Sequence, residues 1–283
     1  MKTKIRMLFF FLFMLVSLTI QAQNTYYVNN AYTPGVDVYC TAAGNDATNV
    51  ANNPNKPSAT LSDAITDAAN GDTIYVDAGT YAQNTMNISK QLTIIGAGTG
   101  KTIFDNGNAA QRWGEITSSN VTIKNMTLTK YFNASGSSGQ VININGTFTN
   151  INLEGILITA SLGAGATLPN INIAGGASVT IKNSFFKCSG LNGSAGGGIL
   201  VNASTAVILN TVFYQNESSS SGAYGGALQV IGASANVTVT NCTFNGCISQ
   251  RGGAIGQKAG TLSVSGSCFS NNFSEENTSG GGG

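Results

Sequence analysis

Histidine is absent from the 283-residue chain, and charged residues make up only 9% of it. Without histidine there can be no Ser-His-Asp or Cys-His nucleophilic site, no imidazole general base and no histidine-ligated zinc. The charge content lies well below the roughly 25% of an ordinary globular domain. Lys and Arg (13) nearly balance Asp and Glu (12), so there is no basic excess to follow a phosphate backbone, and nucleic acid is not an expected partner. Proline is scarce, at 4 residues. Beyond the N-terminus no hydrophobic run reaches the roughly 18 residues that a spanning helix needs, so the mature chain carries no membrane-spanning segment.

Glycine (36) and asparagine (33) are abundant, and 42% of residues are hydrophobic, many of them β-branched. That much apolar content argues against disorder. It suits a stacked all-β protein, with Asn, Gly, Ser and Thr in turns and Val, Ile, Leu and Phe inside.

Residues 1–22 read as a secretory signal peptide: Lys2, Lys4 and Arg6 precede the apolar stretch Met7 to Leu18, with cleavage after Ala22. A retained N-terminal anchor is the competing reading. Five cysteines follow, Cys40, Cys188, Cys242, Cys247 and Cys268, an odd number with no metal-ligand spacing. Cys242 and Cys247 are close enough in sequence to pair, but the favoured reading makes most of the five small buried hydrophobes. No cofactor or metal is expected.

A repeat decides the fold. Six segments share the pattern apolar–x–apolar–x–Asn/Gly–x–x–apolar, with the turn residue at Asn125, Gly155, Asn183, Asn210, Asn241 and Gly266. Their spacings are 30, 28, 27, 31 and 25 residues, and Leu92 to Gly96 forms an earlier, imperfect copy. Alternation makes a short strand with one buried face. Asn or Gly then tolerates the left-handed backbone that a corner requires, and Asn can stack with its copies above and below. Units this short bury their apolar face only by stacking, each strand pairing with its counterpart one coil away. The expected fold is an all-β, single-stranded parallel β-helix, with Phe186, Phe213, Phe244 and Phe269 forming an internal column. A leucine-rich repeat would have a shorter period, and a propeller blade a longer one.

The N-terminal part, residues 23–72, holds a strand and a capping helix, and the β-helix proper covers 73–283. Pro57 to Gly71 reads as a short amphipathic helix, with Thr60 and Asp63 in a capping-box-like start, Leu61, Ile65 and Ala68 or Ala69 on one face, and Gly71 as its stop.

Two resemblances follow from particular residues. Val38 to Asp46, Asn53 to Pro57 and the stretch Gly71-Asp-Thr-Ile-Tyr-Val, two residues, Gly79-Thr-Tyr81 resemble the N-terminal region of pectin-lyase-like β-helix proteins. That resemblance implies a right-handed coil. Residues 190–283 resemble the repeats of chlamydial polymorphic outer membrane proteins, through Gly196 to Ile199, Gly225 to Leu228 and Gly252 to Ile255, and through Phe213-Tyr-Gln-Asn216 and Phe269-Ser-Asn-Asn272. Phe244-Asn-Gly-Cys247 departs from the second motif. This resemblance implies a surface or secreted protein.

Many proteins of the first family cleave acidic polysaccharides, with carboxylates that hold calcium beside a basic residue, or with grouped aspartates. Here all seven aspartates lie between residues 37 and 105, and the rest of the chain has Glu115, Glu154, Glu217, Glu275 and Glu276. The Asp-Asp, Asn-Thr-Asp, Gly-His-Gly and Arg-Ile-Lys motifs of the hydrolase relatives are missing. Gly98-Thr-Gly-Lys-Thr102 lacks the first glycine of a phosphate-binding loop. Arg112, Glu115 and Trp113 offer a sugar-stacking spot with an acid, but are better read as a surface ion pair beside a partly buried aromatic. Lys124 and Lys182, at equivalent repeat positions, mark a solvated outward face. Asn-x-Ser/Thr sequons, as at Asn87 and Asn120, are a by-product of composition. No catalytic residue is therefore assigned.

The expectation is an exported, non-enzymatic β-helix with an adhesive or structural role, at the cell surface (outer membrane) or outside the cell. Its partner would be a glycan or a protein met through the variable stretches 132–139 and 190–195. Gly280 to Gly283 falls where a new coil should begin, so the chain reads as truncated at its C-terminal end. The alternative is a polysaccharide-degrading or polysaccharide-binding β-helix whose active coil lies in the missing part.

Overall fold

A computed structural model describes residues 22–107, 109, 111–131, 140–161, 169–189, 197–218 and 223–275. The expected signal peptide, up to residue 21, the stretches 132–139 and 190–195, and the final glycine run lie outside the described residues.

The alternating segments form strands that pair in parallel, each with its counterpart one coil away. The main sheet runs in order through Thr25–Val28, Thr73–Val76, Thr93–Gly96, Thr122–Thr129, Ile151–Ser161, Ser178–Lys182, Thr205–Leu209, Asn236–Thr240 and Thr261–Ser265. A second sheet stacks Met86–Ile88, Gly114–Ile116, Ile142–Asn145, Ile171–Ala174, Ile199–Asn202, Leu228–Ile231 and Ile255–Gln257. A small third sheet joins Glu217–Ser218, Ile248–Ser249 and Phe273–Ser274. The chain is a parallel β-helix of the right-handed class, the hand that connections between parallel strands of one sheet almost always take.

In-register pairing turns the inward residues into dry columns. In the main sheet Ile74, Ile94, Ile123, Leu153, Ile181, Ile208, Val239 and Val264 lie on one line. The four phenylalanines stack as a second line, with ring centroids 5.2, 4.8 and 4.7 Å apart from Phe186 to Phe269. Phe186, Phe213 and Phe244 are fully buried, whereas Phe269, on the last described coil, is 48% exposed. The same line continues toward the N-terminus through Ile158, Leu128, Phe104 and Tyr81.

The corner after each main-sheet strand needs a left-handed residue. The φ angles are +57° at Asn125, +61° at Gly155, +52° at Asn183, +48° at Asn210, +54° at Asn241 and +57° at Gly266. Asn is among the few side chains that reach this region at low cost. At Gly155 a Cβ would stand 2.7 Å from the Asn125 side-chain oxygen, so the amide one coil below fills the space that glycine leaves. The Leu92 to Gly96 copy keeps its strand but loses the tight corner. There the chain makes a wider excursion over residues 97–101, with Gly98 and Gly100 at φ +137° and +80°.

The Phe-x-x-Asn tetrapeptides also have a physical reason. The Asn216 amide donates to the Phe186 carbonyl at 2.9 Å, and that of Asn272 donates to the Phe244 carbonyl at 3.0 Å. Each asparagine therefore ties its corner to the phenylalanine one coil below. In the coil between them Cys247 takes the place, its thiol 3.8 Å from the Phe213 carbonyl. A thiol is a weak donor, so Cys247→Asn should complete the ladder and raise stability by about 1 kcal/mol, as one added buried hydrogen bond does. The urea midpoint reads this directly, and a lower midpoint would show that the larger amide does not fit.

The paired glycines allow close approach. Gly225 has φ +65°, and a Cβ on Gly226 would lie 2.5 Å from the carbonyls of Asn216 and Ile248. At the N-terminal end the helix Leu61–Asp67 buries Leu61, Ala64 and Ile65, and the Thr60 hydroxyl accepts the Asp63 N–H at 3.2 Å. It ends at Ala68, ahead of Gly71. Lys90 closes that end, its ammonium donating to the carbonyls of Ile65, Thr66 and Ala68 at 3.0, 2.7 and 2.6 Å. Among the described residues no helix is long and apolar enough to cross a membrane.

Candidate functional site

With the interior filled by columns, any chemistry must sit on outward-facing rows. On the second sheet the outward row runs Glu115, Asn143, Asn172, Leu200, Gln229, Gly256. Glu115 is its one carboxylate, and both of its oxygens are engaged. Arg112 pairs with one at 3.2 Å, and the Asn143 amide donates to the other at 2.7 Å. The Asn172 amide extends the chain, donating to the Asn143 side-chain oxygen at 2.8 Å. This arrangement can brace a sheet, but it leaves no free acid.

Trp113 belongs to the interior. It has no exposed surface and meets Phe104 edge-on, with centroids 5.6 Å apart. The expected partly buried ring is thus fully buried, packed against Phe104 in the core, and it has no face to offer a sugar. Arg112 and Glu115 form the ion pair, and Trp113 only neighbours them in sequence.

Lys124 and Lys182 are brought together by the coil repeat. Both align with Glu154, at 3.0 and 3.4 Å, and the Asn183 amide also reaches that carboxylate at 3.4 Å. The Lys124 hydrogen bond is the leading cause that holds the Glu154 carboxyl below the usual range. A carboxyl whose pKa is lowered by folding stabilises the fold fully above the ordinary carboxylate range, and that stabilisation is lost as pH falls through the lowered pKa. Because the ladder lies near the surface, its contribution is about 0.2–1 kcal/mol. Glu154→Gln should accordingly lower the urea midpoint slightly at neutral pH and leave it equal to wild type in acid; an equal deficit at both would assign the loss to packing.

Among the other described carboxylates, Asp63 and Asp67 meet at one amide. Lys130 holds Asp105 at 2.6 Å. Asp63 and Asp67 accept from the Asn49 amide at 2.5 and 2.9 Å, while Asp46 binds the Thr60 hydroxyl at 2.9 Å. Burial is the main cause that raises the Asp63 carboxyl above its ordinary value. Among the described residues no group of three or more Cys, Asp or Glu could hold a metal ion. Cys40, Cys242, Cys247 and Cys268 are free thiols, so the conceivable Cys242–Cys247 pair is not formed. The first three are buried, Cys268 is exposed, and burial raises the thiols of Cys242 and Cys247 above their ordinary value.

Two rows escaped the sequence reading. One is the Glu115–Asn143–Asn172 chain; the other is a second amide ladder, in which Asn150 donates to Asn120 at 2.8 Å, with φ +54° and +57°. Their spacing of about one coil was present in the sequence, but it is informative only once strand register is known.

No family model matches the sequence, and no curated protein matches it. Solved structures are similar over most of this chain. A rhamnogalacturonan lyase is 16% identical, with a TM-score of 0.48, over 88% of this chain and 62% of its own. This chain therefore spans less than two thirds of that enzyme's length. A pectin methylesterase from Aspergillus niger is 12% identical (TM-score 0.48, 88% of this chain and 91% of its own). A pectate lyase is 15% identical (TM-score 0.48, 90% and 79%). The class that the strand topology defines is a parallel β-helix, and none of the chemistry in those names passes to this chain at such similarity.

Proposed function

We propose that this chain is an exported, non-enzymatic β-helix with an adhesive or structural role, presenting its outer rows to a surface glycan or protein. The observation that carries the reading is the second-sheet row, whose single carboxylate, Glu115, is held on both oxygens. Glycosidic cleavage by acid and base needs two carboxyl groups set across one bond. Calcium-assisted elimination needs a carboxylate cage. Export rests on the signal-like N-terminus, and a surface location on the likeness to polymorphic outer membrane protein repeats. The packing roles of Phe213, Asn216 and the Gly225–Gly226 corner explain why such repeats recur.

The test pairs two assays on the purified mature protein. It should leave neutral and acidic polysaccharides uncleaved, with or without calcium, and immobilised protein should retain cells or glycans. Cleavage abolished by Glu115→Gln would overturn the reading in favour of the polysaccharide-degrading alternative.

A further inference from the structure

The corner that carries the asparagine ladder also borders a groove on the outside of the solenoid. The wide excursion over residues 97–101 projects beyond the compact corners that follow, and Thr99 forms one end wall. Leu157, Phe185 and Val212 provide the floor, Asn183 and Asn210 line the side, and the groove, open to solvent, has a volume of about 500 Å³. Register explains the floor. The outward column runs Thr80, Ile103, Thr127, Leu157, Phe185, Val212, Thr243, Cys268, so three consecutive coils between Thr127 and Thr243 carry an apolar side chain. Nothing inside the coil requires this, because the inward partners Ile158, Phe186 and Phe213 already fill the core.

We propose that this groove binds an uncharged polysaccharide in extended form, lying parallel to the solenoid axis. The proposal deepens the binding role above and rests on it. No lining side chain is charged. The neighbouring ionic groups are already engaged: Lys182 pairs with Glu154, and Lys187 sits 5.6 Å over the Tyr214 ring. An acidic chain would lose hydration in the groove without meeting a counter-charge, whereas a neutral sugar offers an apolar C–H face to Phe185 and hydroxyls to the amides. Each corner amide is only partly used. Asn210 donates one hydrogen bond to Asn183 at 3.3 Å, which leaves its oxygen and second N–H for a ligand. The coils repeat at 4.8–5.2 Å, as the stacked rings show. An extended β-linked hexose chain advances by a similar length per residue, so successive rings fall on successive coils, alternate rings presenting opposite faces.

Calorimetric titration with soluble oligosaccharides of cellulose, mannan and xylan, and with oligogalacturonate as the acidic comparison, tests this. Phe185→Thr installs the residue that the same column carries at positions 127 and 243. Asn210→Gly installs the residue that the same corner carries at positions 155 and 266. Both variants should therefore fold. At least one neutral oligosaccharide should bind, oligogalacturonate should bind more weakly, and Phe185→Thr should weaken the neutral ligand about tenfold or more, as loss of an aromatic anchor does. Asn210→Gly should weaken it severalfold. If either variant misfolds, ligand-induced shifts of the Leu157 and Val212 methyl signals in the wild-type protein give the same answer. No neutral binding, tighter acidic binding or an unaffected Phe185→Thr would overturn the proposal. Retained cell adhesion without glycan binding would overturn the groove alone, while neutral binding followed by cleavage would end the non-enzymatic reading and leave the groove standing.

Discussion

Truncating Phe213 to alanine is expected to unfold the C-terminal coils and leave the N-terminal ones folded. The ring is fully buried between Phe186 and Phe244, at 5.2 and 4.8 Å, nearly parallel to the second at 2°. Deleting a core phenylalanine costs about 3–5 kcal/mol, and the aromatic contacts add about 0.5–1.5 kcal/mol beyond burial. In a solenoid each coil is stabilised mainly by its neighbours. A gap in the middle of a column therefore weakens one inter-coil interface, and the coils beyond it open together. Hydrogen exchange should show protection lost over about residues 205–275 and kept over about 73–131. Phe213→Leu, which refills most of the space, should cost about 1.5 kcal/mol or less. A uniform loss of protection along the chain would show that the solenoid unfolds as one unit.

The same residues show why the fold was legible in the sequence. Val-Thr-Ile-Lys-Asn at 121–125 and 179–183 states a strand by alternation and a corner by the one common side chain that tolerates positive φ. Repetition then leaves stacking as the way to bury the faces. The aromatic line was read from Phe186 to Phe269. Leu128 and Ile158 close the first two repeats at the same inward position; Phe104 and Tyr81, further back in the column, carry no such signal, because the excursion over residues 97–101 breaks the repeat spacing before them. The third sheet, with its inward Ser218 and Ser249, was invisible because two-residue strands are too short to show periodicity.

The surface was much less legible. Lys124, Glu154 and Lys182 are far apart in sequence, and only the register Lys124–Glu154–Lys182 makes them one ladder. Trp113 reads as a partly buried aromatic because Arg112 and Glu115 flank it, yet it lies just ahead of the strand Gly114–Ile116 and packs fully inward on Phe104, while the two charged groups pair with each other. The groove depends on a contrast between corners. The loop at 97–101 departs at Gly96, which does not take the left-handed conformation of its later counterparts.

Asp77→Ala is expected to release the N-terminal loop from the first coil. The carboxylate is fully buried, and it accepts four backbone N–H groups: Val38 at 2.6 Å, Tyr39 at 2.9 Å, Cys40 at 2.6 Å and Ala78 at 2.7 Å. Those donors converge because residues 38–40 turn around the end of the strand Thr73–Val76, so one side chain replaces the ladder partners that an irregular loop lacks. Removing it strands the buried N–H groups of Cys40 and Ala78, at about 1–3 kcal/mol each. Asp77→Asn should be nearly as harmful, since its amide offers one acceptor oxygen in place of two and turns donor hydrogens toward donors. The loop also carries its own reporter. The Cys40 thiol is buried, and burial is the leading cause that pushes its pKa up, so in the wild-type protein it should resist alkylation while exposed Cys268 reacts. Peptide mapping after brief alkylation should find Cys40 modified in Asp77→Ala and protected in wild type. The strand Thr122–Thr129 should keep its exchange protection in both, since the coils beyond the first do not depend on the loop. Were Cys40 to stay protected in Asp77→Ala with an unchanged melting temperature, the loop would be held by its other contacts, among them Asn29 N–H to the Ser58 carbonyl at 2.9 Å and Gly44 N–H to the Asn29 carbonyl at 2.7 Å.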